Sequence, residues 1–179
     1  MRPKIVLILV AFVLLSPSLI AAPGSDLADA VMNRNTNAVT QLLQKQADVN
    51  STQVDGATAL HWAVYWDDLD LADKLIRAGA NVNASNRNGA TALSIAAGNA
   101  NVKMVEKLLA NGANANTTTN AEGDTVLMVA SRTGKPEAVK MLLDKGANVN
   151  AKESFSSTTA LMWAASEGHA DVVRLLLDR

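Results

Sequence analysis

Cysteine is absent from this chain of 179 residues, and histidine occurs only twice. Disulfide bonds therefore cannot stabilise the fold, whichever compartment holds the protein. No glycine-rich phosphate-binding loop is present, and without cysteine the sequence offers neither a nucleophile–base pair nor a phosphate cradle. We therefore expect a protein that is not an enzyme and that binds no cofactor.

The chain also lacks an excess of charge of either sign, because it has 16 basic and 17 acidic residues and a formal net charge of -1. Nucleic-acid-binding proteins need clustered lysine and arginine, so we expect no nucleic-acid partner. One group of carboxylates stands out, at Asp67, Asp68, Asp70 and Asp73. These acids flank a predicted helix start, where they favour the helix dipole, so we predict no metal site there despite the affinity of calcium for carboxylates.

Two motifs recur along the chain with the same period. A threonine precedes an alanine-rich segment at Thr58, Thr91, Thr125 and Thr159, with spacings of 33, 34 and 34 residues. The motifs ADVN, ANVN, ANAN and ANVN begin at Ala47, Ala80, Ala113 and Ala147, with spacings of 33, 33 and 34 residues. A degenerate first copy starts at Ser25, 33 residues before Thr58. Two motifs that share one period indicate a repeat protein.

Each copy has the pattern of two short helices. The threonine is a good N-cap for the first helix, and apolar pairs such as Leu75/Ile76 give the second helix a stripe that faces the core. The second helix is expected to end at Gly79, Gly112 and Gly146, because glycine readily takes the left-handed conformation of a helix end. One pair of this length cannot bury its apolar surface alone, so neighbouring copies must stack.

The copies GATALHWA (56–63), GATALSIA (89–96), GDTVLMVA (123–130) and TTALMWA (158–164) resemble the ankyrin repeat. The resemblance implies an all-α solenoid of stacked helix-turn-helix units with β-hairpin-like finger loops. It assigns residues 23–179 to an ankyrin repeat domain of about five repeats, at about 25–54, 55–87, 88–121, 122–154 and 155–179. The fingers before Thr125 and Thr159 carry one extra residue each, so we expect their tips to differ in shape.

Residues 1–22 have a different composition from the repeats. Arg2 and Lys4 precede the apolar run Ile5 to Leu15, and small residues follow near Ala21 and Ala22. This order is typical of a secretory signal peptide and predicts an exported protein of bacterial type, periplasmic or secreted. The alternative is an uncleaved anchor, which would make the protein a membrane-tethered scaffold.

The last copy reads as an internal repeat that is incomplete. The first copy is polar where it would face solvent, as a terminal repeat should be. The last copy instead carries the apolar residues Val172, Val173 and Leu175 to Leu177, which are typical of an internal repeat. We therefore expect that the natural protein continues with further repeats or another domain. An alternative function follows, in which this chain is the regulatory or recruiting N-terminal part of a larger exported enzyme.

The resemblance also implies where a partner binds, because ankyrin repeat proteins hold ligands on the concave surface formed by finger tips and first helices. We therefore expect a protein–protein interaction scaffold with an unknown protein partner, and contact with a membrane only if residues 1–22 stay attached. Carried over by register, the finger positions are Val54, Asp55, Arg87, Asn88, Glu122, Asp124 and Phe155. The helix positions are Tyr65, Trp66, Asn99, Arg132, Thr133 and Glu167.

Aromatic residues make up only 3% of the chain, so the adjacent pair Tyr65 and Trp66 is the strongest binding candidate. Trp62 and Trp163 occupy positions that the family fills with packing residues, and we expect them in the core. The resemblance also implies that His61 forms a hydrogen bond with Thr58 across one helical turn.

Overall fold

The computed structural model describes residues 26–179, and these form ten short helices in five consecutive pairs. The predicted signal peptide and the cap at Ser25 lie outside the described residues. In chain order the helices are α1 (Asp26–Met32), α2 (Thr36–Gln44), α3 (Ala59–Tyr65), α4 (Leu69–Arg77), α5 (Ala92–Gly98), α6 (Val102–Ala110), α7 (Val126–Thr133), α8 (Pro136–Asp144), α9 (Ala160–Ser166) and α10 (Ala170–Leu177). The predicted all-helical solenoid is confirmed.

The helices stack in two rows. Odd-numbered helices form the first-helix row, in which each member packs on the next, and even-numbered helices form the second-helix row. Loops that we call fingers join each pair to the next, and two of them are closed by isolated β-bridges, Ser85 with Thr91 and Thr118 with Thr125. None of the helices in the described part of the chain has the length and apolarity that crossing a bilayer requires.

The predicted threonines cap the first-helix row. Before α5, the N–H of Ser94 donates to Thr91 Oγ1 at 3.2 Å, and the N–H of Thr91 donates to Ser94 Oγ at 2.9 Å. Each bond satisfies a backbone group that the start of a helix leaves without a partner. Thr125 and Thr159 accept equivalent bonds from the N–H groups three residues later.

His61 performs the second part of this cap in α3, which confirms its predicted bond with Thr58. The N–H of Thr58 donates to His61 Nδ1 at 3.1 Å, which leaves Nε2 to donate to the carbonyl of Ala90 in the next unit at 3.1 Å. The ring is buried, and this burial lowers the pKa of His61 below its ordinary value. A neutral imidazole therefore joins two adjacent units.

Alanines allow the first helices to approach closely. Ala63, Ala96, Ala130 and Ala164 occupy the same position in successive helices, and each is fully buried. The second helices contribute Leu75, Leu108 and Leu142 to the same continuous core, also fully buried. Trp62 and Trp163 differ from expectation, because each packs against this core while one side of the indole stays in solvent.

An asparagine bridge, our name for the contact made by Asn50, Asn83 and Asn116, links each loop to the next one. Asn50 Nδ2 donates to the carbonyl of Gly79 at 3.0 Å, and Asn50 Oδ1 accepts from the N–H of Asn81 at 2.7 Å. Asn83 and Asn116 make the same pair of bonds one and two units later. The last residue of each of the first three ADVN-type motifs therefore supports the stack.

Glycine ends the second helices as predicted, and one further glycine has a packing role. Gly79, Gly112 and Gly146 have φ of 93°, 86° and 82°. Gly134, with φ of 70°, ends the first helix α7 and lies under the imidazole of His169 from the next unit. His169 Nε2 forms a 3.0 Å hydrogen bond with the carbonyl of Arg132.

Replacing Gly134 with alanine is expected to destabilise the fold more than the same change at Gly146. Both changes place a side chain in the left-handed region, which costs about 1 kcal/mol. At Gly134 the new methyl would also overlap the His169 ring, whereas a methyl at Gly146 meets no atom within 4 Å. Overpacking of this kind adds about 1–2 kcal/mol. Urea denaturation of the two variants measures the difference, and equal midpoints would contradict the packing role of His169.

Candidate functional site

Three aromatic side chains form one cluster on α3 and the turn after it, which we call the aromatic ridge (Trp62, Tyr65 and Trp66). The Trp62 and Tyr65 rings meet edge to face with centroids 5.6 Å apart, and the Tyr65 and Trp66 rings do so at 4.9 Å. Such edge-to-face pairs are favourable beyond the area that they bury. Tyr65 is 53% exposed and Trp66 is 40% exposed, so the ridge presents ordered apolar surface to solvent.

One end of the aromatic ridge lies at a finger. The indole N–H of Trp62 donates to Gln53 Oε1 at 2.6 Å, and Gln53 Nε2 donates to Asp29 Oδ1 at 2.5 Å. This chain of polar contacts joins α1, the finger before α3 and α3 itself. These hydrogen bonds hold the Trp62 side chain in position in the absence of a partner.

The other end of the ridge turns toward the second-helix row. Trp66 lines a groove between α2 and α4, and the Arg34 guanidinium lies 5.4 Å from the centroid of its ring. A guanidinium over an indole face is a favourable cation–π contact. Trp66 therefore borders this groove, whose lining does not include Tyr65.

The fingers carry the most exposed large apolar side chains of the described residues. Val54 is 84% exposed and Phe155 is 93% exposed, each at the tip of its finger. Arg87, Asn88 and Glu122 are also exposed on the fingers between them. Backbone bonds join neighbouring fingers, because the N–H of Arg87 donates to the carbonyl of Asp55 at 2.7 Å and that of Ser154 to the carbonyl of Glu122 at 2.8 Å.

Glu153 organises the finger before α9, a role that was not predicted from the sequence. Its carboxylate accepts from the N–H groups of Phe155, Ser156 and Thr158 at 2.6, 2.7 and 2.9 Å, and from the Ser156 hydroxyl at 2.5 Å. The residue is only 6% exposed. These hydrogen bonds, that of the Ser156 side chain foremost, lower the pKa of Glu153 from 4.5 to about 2.

The fingers differ in size as expected. Backbone bonds close the two shorter loops from Gln53 to Ala57 and from Asn86 to Ala90. In the longer finger before α9, the bond runs from Glu153 to Thr158 and encloses one more residue. Glu153 therefore supplies the internal support that the longer loop needs to hold Phe155 outward.

Four predicted contact residues already have side-chain partners inside the fold. Asp55 Oδ1 accepts from the N–H of Ala57 at 3.0 Å. Asn99 Nδ2 donates to the carbonyl of Val64 at 3.2 Å, across the boundary between two units. Asp124 accepts from Asn120 within its own finger at 2.8 Å, and Thr133 Oγ1 donates to the carbonyl of Ala130 at 2.9 Å. Their contribution to binding stays a prediction, but each has a supporting role as well.

Arg132 and Glu167 lie farther along the first-helix row. The Arg132 guanidinium lies 5.3 Å from the centroid of the Trp163 ring, which repeats the arrangement of Arg34 over Trp66. Glu167 ends α9 and is exposed. The row therefore offers one stacked cation and one exposed carboxylate beside the fingers.

The geometry of the helical pairs agrees with a comparison against known families. The family model described as ankyrin repeats matches the chain three times, over residues 27–119, 63–153 and 101–179. Together the matches run from residue 27 to residue 179. This chain belongs to the ankyrin repeat family. Among curated proteins, none matches the chain.

Ankyrin repeats are in general modules for protein–protein interaction, and proteins built from them are typically scaffolds without catalytic activity. Three of the four carboxylates around the start of α4 in this ankyrin repeat chain have structural partners. Asp68 caps α4 by accepting from the N–H of Leu71 at 2.9 Å, Asp67 accepts from Asn101 at 3.1 Å, and Asp73 pairs with Lys107 at 2.5 Å. Within residues 26–179, no group of three or more acidic or histidine side chains is arranged to hold a metal ion.

The finger before α9 is expected to keep its shape far into the acid range. Because the pKa of Glu153 is lowered from 4.5 to about 2, its stabilising contribution is complete above pH 4.5 and is lost as the pH falls toward 2. The amide proton shifts of Phe155 and Ser156, followed by NMR, should titrate with a midpoint near 2. Glu153→Gln should abolish this titration. A midpoint near 4.5 would show that the carboxylate does not hold the loop.

Proposed function

We propose that this ankyrin repeat domain is an exported scaffold that binds a protein partner across its finger tips and first helices. The observation that carries the proposal is the exposure of Val54, Tyr65 and Phe155, large apolar side chains held on a supported surface. Exposed aromatic residues on an ordered surface are typical of protein interfaces.

Tyr65 is the central anchor of the proposed interface. Its ring stands edge to face against Trp62 on one side and Trp66 on the other, so its position is set in advance. A partner that covers a preordered ring loses less side-chain entropy than one that must immobilise a free ring. Burial of such an anchor is commonly worth about 2 kcal/mol or more.

The finger tips extend the proposed interface beyond Tyr65. Val54 and Phe155 lie on the first and last of the four fingers between α2 and α9, with Arg87 and Glu122 on the fingers between them. The apolar tips stand at the two ends, and opposite charges lie toward the middle. This pattern favours a partner surface with two apolar contacts flanking a mixed polar centre.

Replacing Tyr65 and Trp66 with alanine is expected to weaken partner capture at least about 30-fold in Kd, because about 2 kcal/mol of anchor energy is lost. Both side chains are substantially exposed, so helicity measured by circular dichroism should stay unchanged. The measurement is quantitative pull-down from the exported fraction with the wild-type and the double variant.

The matched control is Lys103→Ala, an exposed position on the second-helix row, which should leave capture unchanged. Equal capture by the wild-type and the Tyr65/Trp66 variant would rule out the aromatic ridge as the anchor.

Export is proposed from the order of charge, apolar run and small residues in residues 1–22. N-terminal sequencing of the protein recovered from cells should give a first residue near Ala22. Recovery of the intact N-terminus from the membrane fraction would instead favour the tethered alternative.

A further inference from the structure

Gly98 is the last residue of α5, and neither its backbone nor its packing requires a glycine. Of the nine glycines within residues 26–179, the other eight have a positive φ, whereas Gly98 has the ordinary helical conformation. A methyl group at this position would meet one atom within 4 Å, Val129 Cγ1 at 3.9 Å, which is an ordinary contact. Because glycine is less favourable than alanine in a helix, Gly98 costs stability that the packing does not return.

The open space over Gly98, which we call the notch, interrupts the first-helix row. By register Gly98 occupies the position that Tyr65 holds in α3 and Arg132 holds in α7, and α5 packs on both of these helices. All three residues are exposed. The notch therefore has an exposed aromatic residue in the unit before it and an exposed arginine in the unit after it.

Arginine stacks on an aromatic ring at two places in this protein. The guanidinium of Arg34 lies 5.4 Å from the centroid of the Trp66 ring, and that of Arg132 lies 5.3 Å from the centroid of the Trp163 ring. Neither contact involves Tyr65. Because Tyr65 is 53% exposed, a guanidinium from another molecule has access to its ring.

A carboxylate lies near Tyr65, just after the end of α3. Asp67 Oδ1 accepts from Asn99 Nδ2 at 3.2 Å, and the same nitrogen lies 3.4 Å from the carbonyl oxygen of Tyr65. The ion pairs within residues 26–179 all join side chains of the second helices or Arg179, so Asp67 takes part in none of them. Helices α3 and α5 carry no lysine or arginine. The exposed carboxylate of Asp67 therefore favours a cation from a partner.

We propose that the notch binds an arginine side chain of the protein partner, which rests on the scaffold function proposed above. The guanidinium stacks on the ring of Tyr65 and donates hydrogen bonds to the carboxylate of Asp67, while the aliphatic stem lies over Gly98. Arginine suits this position better than lysine, because its planar guanidinium stacks and donates hydrogen bonds at the same time. The absence of a side chain at Gly98 leaves room for it.

The probe is a displayed library of short random peptides, selected on the purified wild-type protein and depleted on the variant Gly98→Leu, in which the notch is filled. The peptides that remain should share an arginine. Isothermal titration calorimetry then compares one such synthetic peptide with a copy in which citrulline, neutral and of nearly the same shape, replaces the arginine. The citrulline peptide should bind at least about tenfold more weakly. Enrichment without arginine, or equal affinity of the two peptides, would overturn the proposal.

A double-mutant cycle tests the contact with Asp67. Asp67→Asn keeps the shape of the side chain and removes its charge, so the arginine and citrulline peptides should bind this variant with similar affinities. A loss on citrulline replacement that is as large in Asp67→Asn as in the wild-type would show that the guanidinium does not contact this carboxylate.

Two matched variants test the space over Gly98. Gly98→Leu should weaken the arginine peptide at least about tenfold, whereas Ser166→Leu, at the same register position of α9, should leave its affinity unchanged. Both positions are exposed, and leucine is a better helix former than glycine or serine, so thermal melting should show that both variants stay folded. Equal affinities of Gly98→Leu and the wild-type would contradict the proposal.

The pull-down from the exported fraction separates this proposal from the scaffold function. If Gly98→Leu captures the partner as the wild-type does and the Tyr65/Trp66 double variant does not, the scaffold function stands and the arginine contact is wrong. Equal capture by the double variant would remove Tyr65 from the interface and overturn both.

Discussion

Contact between consecutive helical pairs is the constraint on which the rest of the structure depends. Without cysteine, no disulfide bond joins the five pairs, and each pair is too small to bury its own apolar face. Fully buried alanines such as Ala63 and Ala96 let the first helices approach closely, and the asparagine bridges join the loops beside them. Every surface feature, including the fingers and the aromatic ridge, takes its position from this stacking.

The sequence predicted the features that depend on local chemistry. Threonine caps and glycine helix ends involve residues close in sequence, so their periodic recurrence was enough to place them. The bond between His61 and Thr58 occurs in one unit only and was expected from the resemblance to the ankyrin repeat. The all-helical repeat architecture followed from the common period. Local signals of this kind are strong because each recurs several times in one chain.

Features that depend on the shape of a folded loop or on a neighbouring unit could not be predicted from the sequence in the same way. The role of Glu153 depends on three backbone groups that only the folded loop brings together, although an acid at the base of a longer finger is a signal that could have suggested it. The half-exposed positions of Trp62 and Trp163 and the turn of Trp66 toward the groove depend on neighbouring helices. The residue types indicated that these aromatic side chains take part in packing or binding, but they did not indicate which surface each side chain would contact.

The loose packing of α2 against α4 has a mechanical consequence. Units that contact only their neighbours act as elements in series, so a pulling force applied across the chain is carried in full by every boundary. The first boundary keeps the contact between α1 and α3 and the Asn50 bridge, but it lacks the outer ion pair that Asp73 and Lys107 add to the next one. At this boundary the outer helices α2 and α4 should therefore separate before the inner helices α1 and α3 do.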